Sequence, residues 1–165
     1  MKSPLSVCPV PDEQQPLNEY QELRESWFYS WGTRNLRGYL MPIFVLWVLS
    51  WAVAGPVTAA SFEPTRYPVQ FFLAGAAGAC IIPGLALAQL YLGWIYVRDR
   101  LYKQTISYEE SGWYDGQLWT KPDTVVTRDR LLVNHEIRPI LNRLQQTFGI
   151  LILLVLGEGL AWGLL

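Results

Sequence analysis

The stretch Gly38-Tyr39-Leu40-Met41-Pro42-Ile43-Phe44-Val45-Leu46-Trp47-Val48-Leu49-Ser50-Trp51-Ala52-Val53-Ala54-Gly55-Pro56-Val57-Thr58-Ala59-Ala60-Ser61-Phe62 carries no charged residue. A bilayer core about 30 Å thick asks for roughly 20 apolar residues in a helix. Residues 39–60 meet that need, so a membrane-spanning helix is expected there. A second uncharged window runs from Tyr67 to Val97. It is longer than an upright span requires, which predicts a helix over about 69–97 that is tilted, or kinked near Pro83–Gly84. The third apolar block, Phe148–Leu165, is short and carries Glu158. It reads as a span or a re-entrant tail, and its Leu and Ile density favours a span. A secretory signal is rejected for the first block, because the polar region before it is far too long.

The expected fold class is therefore mainly α and integral to a membrane. It has two to three transmembrane helices, an amphipathic helix on the cytosolic or stromal side, and a small β-hairpin. Four segments follow: a Pro-rich start with an aromatic helix over 1–37, two spans over 38–97, a polar segment over 98–147, and the third block over 148–165. The chain of 165 residues has 13 Lys+Arg against 14 Asp+Glu, a balance that gives no reason to expect nucleic acid. Its basic residues are unevenly placed. Lys2, Arg24, Arg34 and Arg37 precede the first span, only Arg66 lies in the loop after it, and Arg98, Arg100, Lys103, Lys121, Arg128, Arg130, Arg138 and Arg143 follow the second. The positive-inside rule puts the N-terminus and the 98–147 segment in the cytosol or stroma. Aromatic clusters at Trp27–Trp31, Tyr67–Phe72 and Tyr91–Tyr96 fall where membrane interfaces are expected.

In the polar segments, Pro4, Pro9, Pro11 and Pro16 predict an extended start. Asn18 is placed to cap a helix, with Gln21 as capping-box partner. Tyr20, Leu23, Trp27 and Trp31 recur every three or four residues and form one aromatic face. Thr105-Ile106-Ser107-Tyr108 alternates like a strand and Gln117-Leu118-Trp119-Thr120 like its return. Turn residues between them make a hairpin over 104–121 with Trp113 and Tyr114 near the tip. A lone hairpin is marginal in water and must pack on something. Residues 124–147 read as an apolar-faced helix that Pro139 breaks or kinks. The tetrapeptide Arg-Asp-Arg-Leu at 98–101 and 128–131 has no similarity around it and is treated as coincidence.

Two longer motifs carry a resemblance. They are Cys8-Pro9-Val10-Pro11-Asp12-Glu13-Gln14-Gln15-Pro16-Leu17-Asn18-Glu19-Tyr20 and Tyr108-Glu109-Glu110-Ser111-Gly112-Trp113-Tyr114-Asp115-Gly116-Gln117-Leu118-Trp119-Thr120-Lys121-Pro122, the latter followed by Arg128-Asp129-Arg130-Leu131. Together they resemble the hypothetical chloroplast reading frame thirty-six family, also called conserved in the green lineage and diatoms twenty-seven. The likeness covers nearly the whole chain. It implies a multi-pass protein of a cyanobacterial thylakoid or plasma membrane, or of a plastid membrane in relatives, and the lack of a transit peptide fits either origin. The family is a domain of unknown function and supplies no catalytic residues to carry over.

The residues themselves show no phosphate loop, dinucleotide fingerprint or serine-nucleophile elbow, so no enzyme is expected. Cys8 and Cys80 read as an ordinary thiol and a small packing residue. Glu109, Glu110 and Asp115 flank a turn without calcium-loop spacing. His135, the single histidine, is the candidate ligand for a chlorophyll magnesium or a haem iron, weighed against a plain helix histidine. Glu158 is the intramembrane ionisable group, and such groups are functional candidates by default; the competing reading is a carboxylate reaching the far interface. Trp113, Tyr114 and Trp119 form the candidate docking surface, since aromatic side chains dominate interface hot spots. The expected function is a non-enzymatic accessory protein, an assembly or scaffold factor for a photosynthetic complex, with the lipid bilayer and a photosystem as partners. No cofactor is expected. The alternative is a protein handling pigment, haem or iron through His135.

Overall fold

A computed structural model describes residues 8–109 and 116–164. Its helices are α1 (Pro16–Glu25), α2 (Leu36–Ser61), α3 (Pro68–Ala79), α4 (Ile81–Tyr102), α5 (Asp123–Leu132) and α6 (Arg138–Gly163), with strands β1 (Thr105–Tyr108) and β2 (Gln117–Thr120) between α4 and α5. Three helical stretches are long and apolar enough to cross a membrane: Leu36–Ser61, Pro68–Tyr102 and Asp123–Gly163. The chain forms two compact units, one of Met1–Ser30 with Gly93–Ile140 and one of Trp31–Leu92 with Leu141–Leu165.

In the second, apolar unit, α2 packs on α3. The close approach is possible because position 75 is glycine: a Cβ there would sit 2.6 Å from the Trp51 ring. Ser50 and Thr58, both buried on α2, donate to the carbonyls of Leu46 and Ala54 one turn back, each at 2.6 Å, so neither hydroxyl goes unsatisfied. Helix α6 runs parallel to α2. At one end Tyr39 donates to Thr147 at 2.8 Å and Arg143 donates to the Arg34 carbonyl at 2.6 Å. At the other, the Phe62 and Trp162 rings meet edge to face at 5.0 Å.

Proline shapes both long stretches. The joint between α3 and α4 falls at Cys80, whose N–H turns back three residues to Ala77 at 3.2 Å. Pro83 lacks the N–H that would reach Ala79 and its ring crowds that carbonyl, so the expected kink at Pro83–Gly84 lies one turn earlier. Pro139 acts likewise. It is accommodated by a π turn over Val133–Ile137, in which Arg138 donates to Val133 five residues back. The helix is re-formed rather than broken, and α6 passes through 147–148 without interruption.

In the other unit the hairpin has the expected strands, paired antiparallel with Ile106 opposite Trp119 and Ser107 opposite Leu118. The expected tip, from Glu110 to Asp115 and so including Trp113 and Tyr114, lies outside the described residues. Ile106 and Tyr108 are buried with Val10, and Cys8 and Trp119 pack against them. The Gln14 amide then pairs with the Glu109 backbone in both senses, its nitrogen donating to the carbonyl and its oxygen accepting from the N–H, each at 2.9 Å. The segment before α1 is what the hairpin packs on. That segment also differs from expectation. A 3₁₀ turn at Asp12–Gln14 interrupts the extended run, and α1 starts at Pro16 with Gln15 as cap, two residues ahead of Asn18. Proline's fixed φ favours the first helical position. The helix also stops at Glu25, so Trp27 and Trp31 lie beyond it: Trp27 is exposed and Trp31 buried.

The central fixture of this unit is Lys121, whose side chain is buried. Its ammonium donates to the carbonyls of Arg100 at 3.0 Å and Leu101 at 3.1 Å, in the last turn of α4, and to Asp129 of α5 at 2.8 Å. Three donors meet three acceptors, and Arg128 closes on the other Asp129 oxygen at 2.9 Å. Arg100 binds Glu19 of α1 at 3.1 Å and the Gln14 carbonyl at 2.7 Å. The two Arg-Asp-Arg-Leu copies thus play different parts, with Asp129 buried on Lys121 and Asp99 half-exposed against Arg98 alone.

Replacing Lys121 by Met strands the buried Asp129 carboxylate and is expected to cost about 3–5 kcal/mol, whereas the double variant Lys121→Met/Asp129→Leu regains most of it. Thermal melts of the detergent-solubilised protein, followed by circular dichroism, check both.

Candidate functional site

The hairpin presents two unlike faces. Trp119 is half-buried against the Val10, Ile106 and Tyr108 core, so much of this candidate docking residue is already covered by its own unit. The strand's outward position is Leu118, 73% exposed, which the sequence reading passed over. The alternation signal was available: with Ile106 and Tyr108 inward, pairing places Leu118 with the outward Ser107. Trp27, just past α1, is 85% exposed. Both stand on a unit that has its own core.

Beside Trp119 lies a pocket of about 200 Å³ lined by Cys8, Gln15, Lys121, Arg128 and Asp129, among others. Every proton of the Lys121 ammonium and both Asp129 oxygens are engaged within the clamp. Nearby, burial pushes the Glu19 carboxyl above its ordinary range, although Arg100 pulls the other way. The Cys8 thiol belongs to the hairpin's packing.

The π turn carries the next set. By widening the helix at Val133–Ile137 it presents Glu136 to Tyr20 of α1, whose hydroxyl donates to the carboxylate, and Arg24 lies 3.7 Å from the same oxygen. Tyr20 is buried, with its ring edge to face on Trp94 at 6.2 Å. Burial first, and the Glu136 charge and hydrogen bond second, push its phenol up to about 12. His135 on the same turn is exposed, and its Nδ1 lies 2.9 Å from the Leu131 carbonyl. A carbonyl only accepts, so Nδ1 holds the proton and neutral His135 leaves Nε2 bare. Among the described residues, no group of three or more His, Cys, Asp or Glu is placed to hold a metal ion.

Glu158 sits in the apolar unit, half-buried on α6. Its Oε2 is shielded and has no hydrogen-bond partner among the described residues. At 3.6 residues per turn it lies across the helix from the exposed Leu153, Leu156 and Leu160. The flanking Gly157 and Gly159 have open space around them. Glu158 therefore faces its own unit, while the glycines beside it face outward.

The family model CGLD27-like, described as conserved in the green lineage and diatoms 27, matches residues 8–150. A chloroplastic protein of that name from Arabidopsis thaliana is 46% identical over 145 residues, covering 87% of this chain and 44% of the relative, so the chain spans under half of that protein. The uncharacterized protein ycf36 of Pyropia yezoensis is 41% identical, covering 91% of each chain. Its namesake in Cyanophora paradoxa is 43% identical, covering 91% of this chain and 94% of the relative. No solved structure matches.

The Tyr20 phenol makes a pH prediction. With the folded value near 12 and the ordinary value near 10, the proton is held more tightly in the folded chain. Stability from this group is full below pH 10 and is lost as pH rises from 10 toward 12. Melts across that range should show the decline, and Tyr20→Phe should flatten it.

Proposed function

The chain belongs to the CGLD27-like family, and from that premise we propose that it is a non-enzymatic membrane accessory protein, an assembly or scaffold factor for a photosynthetic complex. In this reading the three long apolar stretches cross the bilayer. Support comes from the side chains that water would solvate poorly, among them Phe44, Leu49, Val53, Leu153 and Leu160, all open on the apolar unit. The arginines before α2 and the basic residues after α4 orient the N-terminus and hairpin to the cytosol or stroma. Because α6 runs parallel to α2, it exits on the side where α2 exits. The thylakoid is the proposed membrane, in keeping with the word chloroplastic in the Arabidopsis relative's name; the cyanobacterial plasma membrane is the other.

The single observation that carries the docking role is the exposure of Leu118 and Trp27 on a unit that is otherwise held by a buried ion pair and its own core. Large apolar side chains standing open beside the membrane fit a protein partner, here a photosystem or its assembly intermediate. Affinity purification of the tagged protein from mild-detergent extracts tests this. The unaltered chain should retain subunits of such a complex. Leu118→Glu/Trp27→Glu should lose them while its melting profile stays the same, and retention by that variant would refute the surface.

The second reading, pigment or haem handling, is favoured by one feature, the bare Nε2 of His135. With no three-ligand group around it among the described residues, a metal would have to arrive already chelated, as in a tetrapyrrole. That reading expects a visible absorption band in the purified protein that His135→Ala removes.

A further inference from the structure

We propose that Arg34, Arg37 and Arg143 form a binding site for the phosphate or sulfonate headgroup of an anionic membrane lipid. The proposal rests on the reading that α2 and α6 cross a bilayer. Within the apolar unit the charged residues are Arg34, Arg37, Glu63, Arg66, Arg143 and Glu158. Three arginines gather where α2 begins, while Glu63 and Arg66 belong to its other end. No acidic residue occurs between Glu25 and Glu63, and among the described residues none of the three arginines has a carboxylate within 4 Å.

The cluster is built, not merely close in sequence. Arg143 comes from α6 and is fixed by one bond, to the Arg34 carbonyl at 2.6 Å, and by its guanidinium lying 5.5 Å over the Tyr39 ring. Tyr39 is itself buried; its hydroxyl reaches Thr147 and its carbonyl accepts the Trp31 indole N–H at 2.6 Å. Most of the Arg143 donors stay available. Arg34 lies along the first turn of α2 because position 38 is glycine: a Cβ there would be 3.2 Å from the Arg34 Cβ and 3.4 Å from its Cδ. Arg37, in the first turn of α2, is exposed. None of the three guanidinium groups has an internal anion among the described residues, and their forked donors match phosphate oxygens. Leu36, Leu40, Met41 and Phe44 follow directly on α2, all exposed. They offer acyl chains a surface that a free phosphate would not use, so the occupant is a lipid and not a soluble anion. Basic pockets between membrane helices bind anionic headgroups in this manner.

The test uses the full-length protein reconstituted into phosphatidylcholine vesicles with or without phosphatidylglycerol. After gentle re-extraction, retained lipid is counted by native mass spectrometry. The expected result is selective retention of phosphatidylglycerol. Arg34→Gln/Arg37→Gln, which removes no side-chain bond within the unit, should weaken it about thirty-fold at low salt. Arg143→Lys, which keeps the charge but loses the fork, should weaken it less. Equal retention of both lipids, or no loss in the double variant, overturns the proposal. So does displacement of the lipid by inorganic phosphate alone, which would identify a site for a soluble anion. Failure to insert even into neutral vesicles would instead refute the spanning reading, and this proposal with it.

Discussion

An ammonium group shut away from water has to place all three of its protons on the protein. Lys121 does so at the point where three elements meet: the last turn of α4, the end of β2, and α5. Its position is set by backbone on one side and by Asp129 on the other. Because Thr120 precedes it, the clamp fixes where the hairpin returns, and Ile106 and Tyr108 then face Val10 rather than solvent. Arg100, whose carbonyl Lys121 holds, reaches to Glu19 and Gln14, and Gln14 ties off the hairpin at Glu109. The outward exposure of Leu118 depends on that chain of contacts, since a strand loosely held could not present one side chain outward while burying its neighbour.

In both long stretches proline acts as a shaping element. At Pro83 the missing donor displaces the break to Cys80 and leaves the chain helical on either side. At Pro139 the same lack is met by widening one turn, and the widened turn delivers Glu136 to Tyr20 and leaves His135 outside. Neither outcome interrupts the apolar surface. Each stretch accepts a bent or widened turn and continues as helix.

Much of this was legible beforehand. Uncharged length alone identified the apolar stretches, because crossing a bilayer is a demand on length and polarity more than on packing. The strands could be read to the residue, since period-two alternation bounded by turn residues has few competing interpretations. What escaped the reading depends on distant partners or on backbone detail. The aromatic spacing of Tyr20, Leu23, Trp27 and Trp31 suggested one continuous helix, yet Ser26 adopts extended backbone and the face ends. Nothing local marks Lys121 as buried, because its acceptors come from residues 20 positions back and eight ahead. Glu158 was legible as an oddity, but its direction was not, since that depends on where α3 and α4 bend.

The parallel course of α2 and α6 has a consequence for how the protein is made. The bonds that join them, Tyr39 to Thr147 and Arg143 to Arg34, link positions 108 and 109 residues apart. Contacts so distant in sequence close late. While the first helices are already leaving the ribosome, Tyr39 has no hydroxyl partner from α6 and Arg34 no cap on its carbonyl. The apolar unit is therefore completed only once α6 has been made.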